Sequence, residues 1–168
     1  MKIIGSVKED LTREKRISIT PETVKQFVDL NFSVLLESKY GEHLGIDDEE
    51  YKNKGASLNS SSKEVLEKSE IILRVNCPSN DEISLIKNKS ILVGQFDPLT
   101  NKEMINKLIK KDVKIFSLNL LPRITRAQSM DVLSSQANLA GYRAVIESVQ
   151  EFGKAVPMMM TAAGTITP

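Results

Sequence analysis

Short aliphatic runs alternate along the chain with segments whose apolar residues recur at helical spacing. The runs are Ile3-Ile4, Ser33-Val34-Leu35-Leu36, Ile71-Ile72-Leu73-Arg74-Val75, Ile91-Leu92-Val93-Gly94 and Val113-Lys114-Ile115-Phe116. Each is mostly apolar rather than strictly alternating, the pattern of strands buried on both faces, so five parallel strands are predicted. Between them, Thr20-Pro21-Glu22 opens a helix whose Val24, Phe27 and Val28 share a face at i, i+3 and i+4. Proline suits that first turn, where its missing N–H has no partner to lose. Three later starts have capping-box spacing, Ser61 with Glu64, Ser79 with Glu82 and Thr100 with Glu103, so that each side chain can satisfy the other's backbone N–H. Strands alternating with helices predict an α/β fold, a doubly wound and mostly parallel sheet covered on both faces.

The pattern changes near Ser129. From there to Phe152 one long helix is predicted, with Leu133, Leu139, Ala140, Ala144, Val145, Ile146 and Val149 as its apolar positions and Gly153 as its stop. It is too long for a crossover and is expected to connect the α/β domain to something else or to pack on a neighbouring copy. Beyond it, Ala155 to Ala163 is apolar and runs into Gly164 like the lead-in to another strand.

At 168 residues and 40% hydrophobic, the chain supports one domain with a real core, or that domain plus a connecting element. Its 23 Lys and Arg against 22 Asp and Glu give a formal charge of +1, which lacks the basic field of a nucleic-acid binder. Cys77 is the only cysteine, so no internal disulfide is possible and a reducing, cytoplasmic setting is the expectation. No stretch nears the roughly 18 apolar residues of a membrane span, so no direct span is expected.

The richest chemistry lies in Pro122-Arg123-Ile124-Thr125-Arg126-Ala127-Gln128-Ser129-Met130-Asp131-Val132-Leu133-Ser134-Ser135-Gln136. Composition alone makes this a polar helix start with an Asp/Arg ion pair. The opening Lys2-Ile3-Ile4-Gly5-Ser6-Val7-Lys8-Glu9, then Glu14-Lys15-Arg16-Ile17-Ser18-Ile19-Thr20-Pro21, resembles the alanine dehydrogenase and pyridine nucleotide transhydrogenase superfamily. The run from Pro122 to Ile146, together with Met158 to Thr165, resembles within it the NAD(H)-binding alpha subunits of proton-translocating transhydrogenases. The likeness extends over essentially the whole chain, most specifically at its two ends.

That resemblance implies a flavodoxin- or Rossmann-like N-terminal domain over residues 1–128, a connecting and dimer-packing helix over 129–153, and a lead-in to an NAD-binding Rossmann domain over 154–168. Such a domain would carry G-x-G-x-x-G, which this sequence lacks. The chain is therefore expected to be the N-terminal half of a longer subunit and to bind dinucleotide weakly or not at all alone. By position, Arg123, Gln128, Asp131 and Ser134 are implied to bind the nicotinamide end of NAD(H), with Gln128 and Arg123 as the catalytic candidates. The carboxamide offers a donor and an acceptor, so Asp131 can accept from its NH₂ while Ser134 can answer either group. If the backbone is helical from Gln128, then Gln128, Asp131 and Ser134 share a face, with Arg123 arriving from the loop before it. The implied partners are a second copy, the membrane subunits and an NADP(H)-binding subunit, at the cytoplasmic side of the inner membrane.

Two losses separate the branches of the superfamily. Alanine dehydrogenases need a proton carrier and a cation near the substrate carbonyl, and the resemblance implies a lysine and a histidine at the ends of two central strands. The matching places hold Asn76 and Gln95, neither of which shuttles a proton. Hydride transfer between two nicotinamides has no proton step, so alignment and water exclusion suffice. The alternatives are an amino-acid dehydrogenase of alanine or saccharopine type, which Asn76 and Gln95 disfavour, and a non-catalytic stand-alone domain. Arg16, which grips a carboxylate in the amino-acid dehydrogenases, has either a binding or a structural part here. His43, between Gly41 and Gly45, is expected at the surface. Cys77 is expected as a small packing residue, and Met158 to Met160 as packing against a further domain.

Overall fold

The computed structural model describes residues 1–167, and the chain divides into a compact unit of Met1–Pro122 and a second that begins at Arg123. The first is built in the order β1 (Ile3–Ser6), α1 (Pro21–Asp29), β2 (Ser33–Glu37), α2 (Asp48–Asn53), β3 (Ala56–Asn59), α3 (Ser62–Lys68), β4 (Ile71–Leu73), α4 (Asn80–Leu85), β5 (Ile91–Gly94), α5 (Lys102–Lys110) and β6 (Lys114–Ser117). All strands of this sheet run parallel, in the order β3-β2-β1-β4-β5-β6. This is the predicted doubly wound α/β fold, with one strand more than the five predicted. The addition is β3 at one sheet edge, whose Ala56-Ser57-Leu58-Asn59 lacks an aliphatic run.

Helix starts follow the capping logic with two corrections. Thr20 caps α1, accepting from the Thr23 N–H at 3.3 Å with Pro21 at the first turn. Ser79 and Glu82 form a complete capping box, and so do Asp47 and Glu50 at α2. Ser61 accepts from Glu64 N, but its own N–H donates to Asn59 Oδ1 at 2.8 Å, so that box is only half made. Thr100 is no cap, since α5 starts one residue later behind Asn101 and the Thr100 hydroxyl donates to Asp97 Oδ2.

Two apolar clusters form the core. On one face Val65 and Leu66 of α3, Ile83 of α4 and Leu108 of α5 pack on Ile72 and Leu92. On the other, Val24 of α1 and Tyr51 of α2 pack on Ile4, Val34 and Leu36. The prediction of full cover on both faces needs correction at the β6 end. There Phe116, which pairs in register with Val93, is 57% exposed, while its neighbour Ile115 packs into the first cluster.

The second unit opens with a 3-10 segment, Thr125–Met130, followed by α6 (Val132–Phe152) and an antiparallel hairpin of β7 (Met159–Thr161) and β8 (Gly164–Ile166). The long helix starts at Val132 rather than Ser129, because Asp131 takes a non-helical conformation and caps it. Gly153, at φ 65°, ends it in the left-handed conformation glycine favours. The apolar tract beyond it forms the predicted strand and turns back through Ala162 and Ala163 into a second one that starts at Gly164. No residue of α6 is buried.

Candidate functional site

In a parallel sheet the strand order reverses where successive crossovers leave in opposite directions, and the crevice beyond the strand ends at that point is the usual ligand site. Here the reversal falls between β1 and β4. A cleft of about 880 Å³ opens there, lined by Lys8 and Glu9 after β1, Arg74, Asn76 and Cys77 after β4, Gln95 and Asp97 after β5, and Asn119 after β6.

Its wall is organised by a buried ion cluster. Arg74 and Glu9 each have a side chain only 5% exposed. Arg74 Nε and Nη2 donate to the two Glu9 carboxylate oxygens at 3.1 and 3.2 Å, and Nη1 donates to Glu82 Oε1. Glu9 Oε1 also accepts the Val75 N–H at 2.8 Å. The end of β1, the end of β4 and the first turn of α4 are thereby tied together. An arginine inside the apolar run Ile71–Val75 is itself a signal of such a cluster, since a buried guanidinium must find carboxylates. The sequence does not say which ones.

The other charges at this end are also partnered. Lys8 pairs with Glu37 at 3.2 Å, Arg13 with Asp10 at 3.8 Å, and Arg16 with Glu14 at 2.7 Å. Asp97 accepts the Thr100 hydroxyl at 2.7 Å. Hydrogen bonds from Arg16 hold the Glu14 carboxyl below its ordinary pKa against the upward push of burial. Burial pushes the Cys77 thiol up to about 11, which keeps it protonated and a poor nucleophile. Asn76 and Gln95 both line the cleft as predicted. His43 is exposed at the surface, its Nε2 2.8 Å from the Lys15 carbonyl oxygen.

This end of the sheet does not fit a dinucleotide pyrophosphate. The β1–α1 connection, residues 7–20, contains no glycine, so no backbone cradle forms there. Pro21 offers no N–H and the Thr23 N–H is taken by Thr20. The cleft lining carries three cationic side chains against five carboxylates, a balance that repels phosphate.

The polar run of the second unit has a different character. Arg123 and Gln128 are exposed, Gln128 on the 3-10 segment. The helix does not begin at Gln128, so the shared α-helical face is not formed. Instead the Asp131 N–H donates to the Gln128 carbonyl at 3.2 Å, which keeps those two residues one 3-10 turn apart. Asp131 Oδ1 accepts the Ser134 N–H at 3.0 Å and Oδ2 accepts the Ser134 hydroxyl at 2.6 Å. These bonds, with Arg123 nearby, hold Asp131 below its ordinary pKa, so it stays charged. The Ser134 proton is spent on Asp131, which leaves Ser134 an acceptor only. Arg143 pairs with Glu147 along α6.

The family described as "Alanine dehydrogenase/PNT, N-terminal domain" matches residues 5–140. The chain belongs to that family. It is 42% identical over 98% of its length to an NAD(P) transhydrogenase subunit alpha protein of Rhodospirillum rubrum, covering 44% of that protein. It is 30% identical over 83% of its length to an alanine dehydrogenase of Methanococcus maripaludis, covering 37% of it. The crystal structure of transhydrogenase from Sinorhizobium meliloti superposes with a TM-score of 0.89 at 42% identity, over 98% of this chain and 49% of that one. The chain thus spans less than half the length of these relatives. The resemblance carried by the motifs is borne out, and with it the α/β sheet followed by a long helix.

Proposed function

We propose that this chain forms the N-terminal part of the NAD(H)-binding alpha subunit of a proton-translocating NAD(P) transhydrogenase. The observation that carries the proposal is the composition of the cleft at the switch point. Asn76 and Gln95 stand at its strand ends, and its acids are committed to Arg74, Arg13, Arg16 and the Thr100 hydroxyl. A site of this kind can align reactants and exclude water, but has no evident group free to exchange a proton with an amine. The greater likeness to transhydrogenase than to alanine dehydrogenase supports the same branch.

On this reading bound NAD(H) supplies the hydride, which passes to NADP⁺ on a partner subunit while membrane subunits move protons. Arg123, Gln128, Asp131 and Ser134 orient the nicotinamide end, with Gln128 and Arg123 nearest the chemistry. Asp131 and Ser134 accept from the carboxamide NH₂. Pyrophosphate binding falls to a further domain, since the β1–α1 connection has no glycine. The exposed Leu139, Tyr142, Val145 and Val149 of α6 support a homodimer. Among the described residues no helix is long and apolar enough to cross a membrane, so the subunit is assigned a peripheral place on the cytoplasmic side through its partners.

The test uses the full-length protein with its membrane partners. It should reduce an NADP⁺ analogue with NADH and show no alanine-dependent NAD⁺ reduction. Gln128→Ala and Arg123→Ala should slow hydride transfer more than they weaken NADH binding. Asp131→Asn keeps the helix cap, because asparagine caps as well as aspartate, and should weaken binding while leaving helix content unchanged. Alanine-dependent NADH production at ordinary dehydrogenase rates would overturn the proposal. Calorimetry on residues 1–168 should show no micromolar NADH affinity.

A further inference from the structure

Helix α6 has no buried residue, yet its apolar positions are ordered. Val132, Ser135, Leu139, Tyr142, Ile146 and Val149 follow one another at alternating steps of three and four residues. That spacing is the a and d seam of a coiled coil, a narrower stripe than a helix lying on a globular core shows. Leu139 and Tyr142 are 59% and 69% exposed, Ile146 and Val149 40% and 46%. The seam is complementary to itself when the helix is reversed, because a step of three then meets a step of three. A two-fold axis level with Ala144 sets Leu139 of one copy opposite Val149 of the other and Tyr142 opposite Ile146, and each contact occurs twice.

Charge selects this direction over the parallel one. Asp131 caps the N-terminus of α6, and Lys154 follows its C-terminal stop at Gly153. A parallel pair would set Asp131 against Asp131 and Lys154 against Lys154, whereas the antiparallel register brings Lys154 level with Ser134, one turn from Asp131. Arg143, at the edge of the seam, keeps Glu147 of its own helix as its counter-ion.

We propose that two copies of this chain pair antiparallel through α6, and that Lys154 of each copy reaches the Asp131 carboxylate of the other. The pairing rests on the homodimer of the proposed function and names its surface. It also makes the run that orients the nicotinamide a site shared between copies. Lys154 is then a positioning residue that acts through Asp131, whose carboxylate has lone pairs left after Oδ1 and Oδ2 have accepted from Ser134.

The experiment oxidises cysteine variants of the full-length protein in a Cys77→Ser background and reads disulfide-linked dimers on a denaturing gel. Leu139→Cys/Val149→Cys should cross-link. Leu139→Cys alone should not, since the antiparallel register holds the two Leu139 positions about 15 Å apart along the helix, beyond the roughly 7 Å that a disulfide spans. Cross-linking of the single variant would show a parallel pair and overturn the proposal, and so would a dimer by sedimentation that links in neither variant. Ile146→Asp should weaken the dimer severalfold with helix content unchanged, because Ile146 is not buried within its own unit. For the shared site, Lys154→Glu should weaken NADH binding severalfold and Lys154→Arg should restore it. Equal NADH affinity in all three would overturn the role of Lys154. Cross-linking does not depend on hydride transfer, so a protein that links as expected but lacks transhydrogenase activity would refute the proposed reaction and leave the pairing standing.

Discussion

The two ends of the parallel sheet handle charge in opposite ways. Beyond the C-terminal ends of the strands, Arg74, Glu9 and Glu82 form a buried cluster, and the charges around it are paired with Glu37, Asp10, Arg16 or the Thr100 hydroxyl. At the N-terminal ends, Lys2, Lys87 and Lys89 surround a pocket with no ion pair among them. The first arrangement shapes a wall and holds it still. The second leaves its charges exposed to solvent, as most lysines of the chain are. Charge that serves the fold is therefore recognised by burial and partnership rather than by residue type.

The sharpest way to break this contrast is to remove the centre of the buried cluster. Arg74→Met leaves Glu9 and Glu82 without their cation and should cost about 3–5 kcal/mol of stability, read from urea unfolding. A loss below about 1 kcal/mol would mean that the cluster is solvated and that the two ends do not differ in kind. The pH dependence follows from the same cluster. Burial works to raise the Glu82 pKa, but Arg74 and hydrogen bonds from Ser79 outweigh it, and the net shift is downward. A carboxylate with a lowered folded pKa adds stability that is present above its unfolded value, about 4.3, and is lost as pH falls through the folded one. Acid unfolding of the wild type should include this contribution. In Arg74→Met this contribution of Glu82 should shrink, because the Ser79 hydrogen bonds alone then oppose burial.

A smaller effect is expected from the neutral counterpart of the cluster. Tyr40 Oη accepts the Ser18 N–H at 3.0 Å and lies 2.8 Å from Ser6 Oγ, which donates to the Leu73 carbonyl at 2.7 Å. This network fastens the long β1–α1 connection to the ends of β1 and β4. Tyr40→Phe strands the Ser18 N–H and should cost about 1–3 kcal/mol. Hydrogen exchange should show the loosening confined to the residue 7–20 segment. Uniform loosening of the sheet would assign the network to the core instead.

Smaller again are the helix caps along the cleft wall, where sequence and structure can be compared residue by residue. Ser79→Ala breaks a complete capping box and should cost about 1 kcal/mol, whereas Thr100→Ala should cost less than about 0.5 kcal/mol because Thr100 caps nothing. Both had the same spacing to a glutamate. What spacing could not reveal is that Asp97 would take the Thr100 hydroxyl and Asn59 the Ser61 N–H. Strands buried on both faces were legible because burial imposes a continuous apolar run. β3 was not, because Leu58 is the only large aliphatic residue of its Ala56-Ser57-Leu58-Asn59. In the second unit, α6 was legible from its length and Gly153 stop, but its start was not, since Asp131 both caps the helix and breaks the 3-10 segment before it. Of the candidate site, the polar run was visible from composition, while the commitment of the Ser134 hydroxyl to Asp131 depended on side-chain geometry. The Arg74 cluster joins residues 65 positions apart, and no local pattern encodes such a pairing.

The last comparison expects almost no effect, and that is its value. Lys87→Ala/Lys89→Ala removes two charges that have no partner, so thermal stability should stay within about 0.5 kcal/mol of the wild type. Relief of repulsion between the lysines acts toward stabilisation and should fade as salt screens it. A variant that lost several kcal/mol would show these lysines holding the fold as Arg74 does, and the two ends of the sheet would no longer differ.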